Sequence, residues 1–175
     1  MELKGGPTQD EVMAISLFKL GLKNGDILAD VGCGTGKVSI EAAKICSKVF
    51  AIDKRKEAID CASGAIKESG VKNVDLISGE ASEILKEIDY LDCAFLGGSA
   101  NVENNLEILS GIVKGKIVIN AVLLGTVQKS VEKMKSLGIF EEIIQVHVAR
   151  SYSLCGDIMF KPINPVYIIV GSVNR

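Results

Sequence analysis

The stretch Asp30-Val31-Gly32-Cys33-Gly34-Thr35-Gly36 decides how this chain is read. An apolar run over residues 27–31 leads into it, and a helix-like pattern over 37–45 follows it. Glycine at every second position lets the backbone turn sharply and approach a ligand closely. A helix that starts behind such a loop aims unpaired N–H groups and the positive end of its dipole at whatever the loop holds. The spacing is G-x-G-x-G. It is neither the G-x-G-x-x-G of a dinucleotide fingerprint nor the G-x-x-x-x-G-K-[ST] of a phosphate loop. Asp30 stands two residues before the first glycine, and Asp53 closes the next apolar run. An acid at that second position can accept both hydroxyls of a ribose.

Outward from this loop, apolar runs and helical patterns alternate. Strands are expected over 27–31, 48–52, 74–78, 91–96, 116–120, 142–149 and 166–170. Helices are expected over 8–20, 37–45, 56–69, 80–87, 102–113 and 126–137, with Gly70 as a C-cap. The first five strands are nearly continuous apolar runs, as in a sheet covered on both faces. Strand–helix alternation with short loops gives a parallel sheet. The alternation stops near residue 140, where two strands follow without a helix between them and should pair as an antiparallel terminal hairpin. The expected fold is therefore α/β, a Rossmann-like, seven-stranded, mostly parallel sheet with helices on both faces. Residues 1–175 are expected to form one domain. The segment 151–165 is expected to be a long loop of the kind that often binds ligands.

Composition excludes several classes. Lys+Arg is 20 against Asp+Glu 22, a net charge of -2, so bulk attraction to nucleic acid is not expected. Aromatics are 5% and Trp is absent, too few for a base-stacking platform. No apolar run approaches the ~18 residues of a membrane helix, and the start carries no hydrophobic signal region. The five cysteines (Cys33, Cys46, Cys61, Cys93, Cys155) contain no CxxC pair, so a metal site is not expected and reduced core thiols in a cytoplasmic protein are. His147, the only histidine, is expected within a strand, bonded in the sheet rather than moving protons.

The tight loop suits a nucleoside ligand without phosphate, whose cationic amino acid end meets carboxylate and carbonyl groups. S-adenosylmethionine (SAM) has that form. Asp30, Gly32, Cys33, Gly34, Thr35, Gly36 and Asp53 are its candidate contacts. The turn after the third strand, Ser78-Gly79-Glu80-Ala81, is placed to reach the adenine through Glu80 and the Ala81 backbone N–H. Glu80 is also a favourable acid at a helix start. Gly97-Gly98-Ser99 after the fourth strand are candidates for positioning a bulky substrate; no Asn/Asp-Pro-Pro-aromatic sequence of an amino-group methylase is present there. Thr8 with Glu11 reads as a capping box, the reading that sequence physics favours; the functional alternative is a segment folded over the cofactor that donates Thr8 as a contact. Arg150, with Lys161 nearby, is the candidate anchor for substrate carboxylates, because guanidinium offers a planar fork.

Taken together, G-P-T at 6–8, D-V-G-C-G-T-G at 30–36, A-I-D at 51–53, G-E-A at 79–81, G-G-S at 97–99, A-R at 149–150 and N-P-V at 164–166 resemble one family. It is the decarboxylating cobalt-precorrin-6B carbon-15 methyltransferases of cobalamin biosynthesis, the precorrin-8w decarboxylase-like proteins. The resemblance runs from Gly6 to Val170 and implies a class I methyltransferase that uses SAM, often as a homotetramer. It implies methylation of a cobalt-precorrin tetrapyrrole at carbon-15 with loss of the ring C acetate carboxyl. Thr8, Gly32–Gly36, Asp53 and Ala81 would be cofactor contacts. Two departures stand out: Glu80 replaces the usual Asp, and Ala100 replaces a usual Gly. Some relatives carry a second, carbon-5 methylating domain; this chain is expected to need a separate partner for that step. The competing readings are a class I methyltransferase acting on RNA or protein carboxylates, and a SAM-binding subunit without catalysis.

Overall fold

A computed structural model describes residues 8–98 and 100–173. Helices α1 (Asp10–Leu20), α2 (Lys37–Ala43), α3 (Lys56–Ser69), α4 (Ala81–Ile84), α5 (Val102–Ile112) and α6 (Leu124–Ser136) alternate with strands β1 (Ile27–Val31), β2 (Lys48–Asp53), β3 (Val74–Ser78), β4 (Cys93–Leu96) and β5 (Lys116–Ala121). Four further strands follow: β6 (Phe140–Val146), β7 (Ala149–Leu154), β8 (Asp157–Pro162) and β9 (Val166–Ser172). The main sheet has the order β3-β2-β1-β4-β5-β9-β6. β1 to β5 are mutually parallel, and β9 runs antiparallel to both β5 and β6.

The sheet divides the core in two. Val31, Leu96, Ile117, Ile119 and Ile169 face Leu106, Leu109 and Met134 of α5 and α6. Leu28, Val49, Phe95, Val118 and Ile168 face Val12, Leu20, Val38 and Ala42 of α1 and α2. In α1, Val12, Ser16 and Leu20 are the buried positions, spaced one turn apart so that one face meets the sheet. The helix stops at Gly21, whose φ of 65° is left-handed and whose N–H reaches back to Leu17 and Phe18. Gly70, with φ of 75°, is the left-handed C-cap of α3, as expected from sequence.

Three expectations are corrected. The segment 151–165 is not an open loop: β7 and β8 form a two-stranded antiparallel hairpin, with Arg150 opposite Lys161 and Tyr152 opposite Met159. Its turn, Cys155-Gly156, has φ of 52° and 82°, the paired positive values of a two-residue hairpin turn. The hairpin rises between β6 and β9, which still pair with each other. β9 inserts between β5 and β6, so only it is reversed. His147 lies exposed in the connection between β6 and β7, outside any strand. The thiols of Cys33, Cys46 and Cys93 are buried, but Cys61 and Cys155 are exposed rather than in the core.

Candidate functional site

The strand order reverses between β1 and β4, and the crevice beyond the carboxyl ends of strands at such a point is where open α/β sheets bind ligands. Both loops leaving these strands meet there. The N–H groups of Gly32 and Cys33 bond to the Ile52 carbonyl, and that of Gly97 to the Val31 carbonyl, pinning the glycine loop between β2 and β4. Gly32, Gly34 and Gly36 have φ of 76°, 57° and 76°, backbone states that only glycine takes without strain. A Cβ on Gly32 would stand 2.9 Å from the Gly98 nitrogen, so the glycine loop and the Gly97-Gly98 turn pack backbone to backbone. That contact is a structural reason for glycine after β4. Ser99, also expected here, lies outside the described residues.

A cavity of about 580 Å³ opens at this crevice. Gly32, Asp53, Gly79, Glu80 and Ala81 line it together with Gly97, Gly98, Asn105, Asn120, Leu123 and Asn164; Thr8 and Gln9 are also on its wall. A smaller recess of about 50 Å³ is bounded by Thr8, Asp30, Gly32, Cys33, Gly34, Thr35 and Lys37. Thr8 touches both spaces. Its expected capping role is not realised: Gln9 holds the N-cap position of α1 and no side chain caps the helix. Instead the Thr8 carbonyl accepts from Lys37 Nζ at 3.1 Å, which ties the segment over the glycine loop.

The two acids have contrasting surroundings. Asp30 is fully buried. Ser39 donates to its Oδ2 at 2.5 Å, while Oδ1 has no partner among the described residues. Burial pushes its carboxyl up to about 7 against the pull of the Ser39 bonds. Asp53 is also buried. Burial alone would raise it, but the Arg55 side chain and the backbone N–H groups of Arg55 and Gly34 hold it below the ordinary carboxylate range. Sequence reasoning missed Arg55. Its only signal was a cation two residues beyond the strand-end acid.

Glu80 holds the N-cap position of α4 without a side-chain cap bond; Lys54 and Asn101 donate to its carboxylate, both at 3.1 Å. Asn120, near the carboxyl end of β5, was also missed. The fully buried Ser16 hydroxyl donates to its Oδ1 at 2.9 Å, and its Nδ2 has no partner among the described residues. Arg150 is not on the cavity wall. It pairs with Glu11 and reaches Gln9, which is. Cys33 is buried at the wall of the small recess, and burial together with Asp30 and Asp53 pushes its thiol up, which disfavours the thiolate.

Such a sheet, with one reversed strand and a glycine loop at the switch point flanked by two strand-end acids, is that of a class I methyltransferase. The match to known proteins is narrower. The precorrin methyltransferase domain family spans residues 2–172, and the chain belongs to it. A probable cobalt-precorrin-6B C(15)-methyltransferase (decarboxylating) of Methanosarcina mazei is 51% identical over 98% of this chain and 96% of its own. The Methanocaldococcus jannaschii protein of the same name is 33% identical over 93% and 88%. The crystal structure of a precorrin-8w decarboxylase from Methanobacterium thermoautotrophicum superposes with a TM-score of 0.93 at 33% identity, covering 98% of this chain and 95% of that one.

Proposed function

We propose that the protein is a SAM-dependent C-methyltransferase that methylates a cobalt-precorrin tetrapyrrole at carbon-15 with decarboxylation of the ring C acetate, in cobalamin biosynthesis. One observation carries this reading: a cavity at the β1/β4 switch point is lined both by Asp53, Glu80 and Ala81, the expected nucleoside contacts, and by the amides of Asn105, Asn120 and Asn164. Its size falls within the ~300–1,000 Å³ of small-molecule sites. The residues present fit the cofactor. Asp30 Oδ1 is a buried acceptor without a partner among the described residues, beside a loop whose glycines leave room for a ligand.

The cofactor supplies an electrophilic methyl group. In this reading Asp53 accepts the ribose hydroxyls, Glu80 and the Ala81 backbone face the adenine, and Asp30, Gly32 and Thr8 surround the amino acid end. Cys33, Gly34, Thr35 and Gly36 contribute backbone and shape. Gly97 and Gly98, with Ser99, set how closely the macrocycle approaches, and Asn120 borders it. The positive charge arriving with the methyl balances the negative charge of the carboxylate that leaves as carbon dioxide. The electron pair of the broken C–C bond passes into the conjugated ring. No strong protein base is needed, and the chain's task is alignment.

Arg150 and Lys161, side by side at the root of the hairpin, are the proposed basic rim for peripheral carboxylates. A homotetramer in the cytoplasm, with carbon-5 methylation left to a separate protein, completes the proposal. The hairpin supports self-association, since Ile158 and Phe160 are 67% and 66% exposed on a ribbon that needs more strands or a packed face to be stable. Among the described residues no helix is long and apolar enough to cross a membrane. The test is incubation with SAM and cobalt-precorrin-6B under mass detection. The expected product has gained a methyl and lost carbon dioxide; SAM binding without transfer would leave only a cofactor-binding subunit.

A further inference from the structure

Asp53 has no acceptor site to spare. A carboxylate offers about four lone-pair directions. Oδ1 takes the Arg55 backbone N–H at 3.0 Å and Arg55 Nε–H at 3.0 Å. Oδ2 takes the Gly34 N–H at 3.1 Å and an Arg55 Nη2–H at 2.9 Å. The two backbone donors are fixed by the loop and by the start of α3. The two side-chain donors form a planar fork, one prong to each oxygen. A vicinal diol would present the same thing: two O–H donors, spaced to meet both oxygens of one carboxylate.

We propose that the Arg55 guanidinium is a resident occupant of the ribose subsite, which a cis-diol ligand must displace, so that Arg55 sets the affinity for cofactor and product alike. This rests on the reading of Asp53 as the ribose acceptor. Three observations support it. The Asp53 side chain is 3% exposed, and a carboxylate so buried needs compensation when no ligand is bound. The Arg55 side chain is 43% exposed, so its fork lies within reach of solvent. Both residues line the large cavity. At the Asp53 carboxylate the exchange is close to even, two charged donors for two hydroxyls, and that keeps a nucleoside product from binding too tightly to leave.

The test is calorimetry of S-adenosylhomocysteine and its 2′,3′-dideoxy analogue on wild type, Arg55→Gln and Arg55→Lys, with NMR of the Arg55 Nε–H. Arg55→Gln is expected to bind S-adenosylhomocysteine about tenfold more tightly, the scale of one or two charge-assisted hydrogen bonds no longer broken. Binding of the dideoxy analogue should not change, because it leaves the fork in place. Arg55→Lys, which keeps the charge but not the fork, should lie between and serves if the glutamine variant does not fold. The Nε–H signal of wild type should shift with S-adenosylhomocysteine and not with the analogue. Equal effects on both ligands, weaker binding by the variant, or an unmoved signal on saturation would overturn the inference while sparing the cofactor assignment. Failure of wild type to bind SAM or S-adenosylhomocysteine would overturn both.

Discussion

The Arg150 guanidinium grips the Glu11 carboxylate with both prongs, Nη1 to Oε1 at 2.7 Å and Nη2 to Oε2 at 2.8 Å. The pair fastens the root of the β7–β8 hairpin to the first turn of α1, next to Gln9 at the cavity edge. Both side chains are about half exposed, so the pair itself is worth at most ~1 kcal/mol. Its importance is positional. Arg150→Ala should raise the KM for the tetrapyrrole several-fold, leave the dissociation constant of SAM unchanged and move the melting temperature little. Glu11→Gln, which keeps the cation, should affect KM less. An unchanged KM in Arg150→Ala would remove Arg150 from the substrate side.

Asp30 makes stability depend on pH in a defined direction. Its carboxyl is raised in the fold to about 7 from an ordinary 3.8. Between these values the folded protein holds a proton that the unfolded chain has released, so stability falls as pH rises through this window. Thermal melts of the ligand-free protein should show a lower melting temperature at pH 8 than at pH 5, and Asp30→Asn should flatten that slope. SAM should restore more stability at pH 8, where its ammonium meets an ionised carboxylate.

The contact between the two glycine loops separates Gly32 from Gly98. Gly32→Ala places a Cβ 2.9 Å from the Gly98 nitrogen in a left-handed backbone, and should cost about 2–4 kcal/mol and abolish SAM binding. At Gly98 a Cβ would meet, among the described residues, the Gly32 Cα at an ordinary 3.7 Å. Gly98→Ala should melt within a few degrees of wild type. Paired calorimetric scans decide the point.

Asn120 tests whether its unpaired amide serves the substrate. A buried donor without a partner costs roughly 1–3 kcal/mol. Asn120→Val removes that donor and also the acceptor of the Ser16 hydroxyl, which keeps its bond to the Val12 carbonyl at 2.8 Å, so stability should change little while the KM for the tetrapyrrole rises at least several-fold. A variant that is equally active would show that Asn120 is only part of the wall.

The hairpin prediction concerns assembly. Replacing Ile158 and Phe160 with Asp should lower the mass seen by light scattering, with the far-UV dichroism of the main sheet retained. An unchanged mass would place any subunit interface elsewhere.

The sequence was most readable where burial imposes a pattern. β1 and α3 begin and end where their apolar periodicity does, because β1 is buried in the middle of the sheet and α3 packs one face against it. The glycine loop was equally clear, since positive φ at three alternate positions leaves few residue choices. The hairpin was missed because all of β7 and β8 is exposed, so no alternation of buried and open positions marks it; the Cys155-Gly156 turn was its one signal. Arg55 and Asn120 were missed for another reason. Each matters here through a particular contact, to Asp53 two residues away or to Ser16 on α1, and composition and spacing do not reveal which polar groups will meet.

The place of β9 has a consequence for biosynthesis of the chain. Ile168, Ile169 and Val170 are wholly buried between β5 and β6, yet they leave the ribosome after every other strand of the sheet. Until they arrive, β5 and β6 cannot join, the inner flank of each lies open, and Asn164 and Val166 are missing from the cavity wall. A nascent chain halted before Val166 would carry two unpaired apolar edges and no complete binding site, which makes it a target for chaperones and proteases.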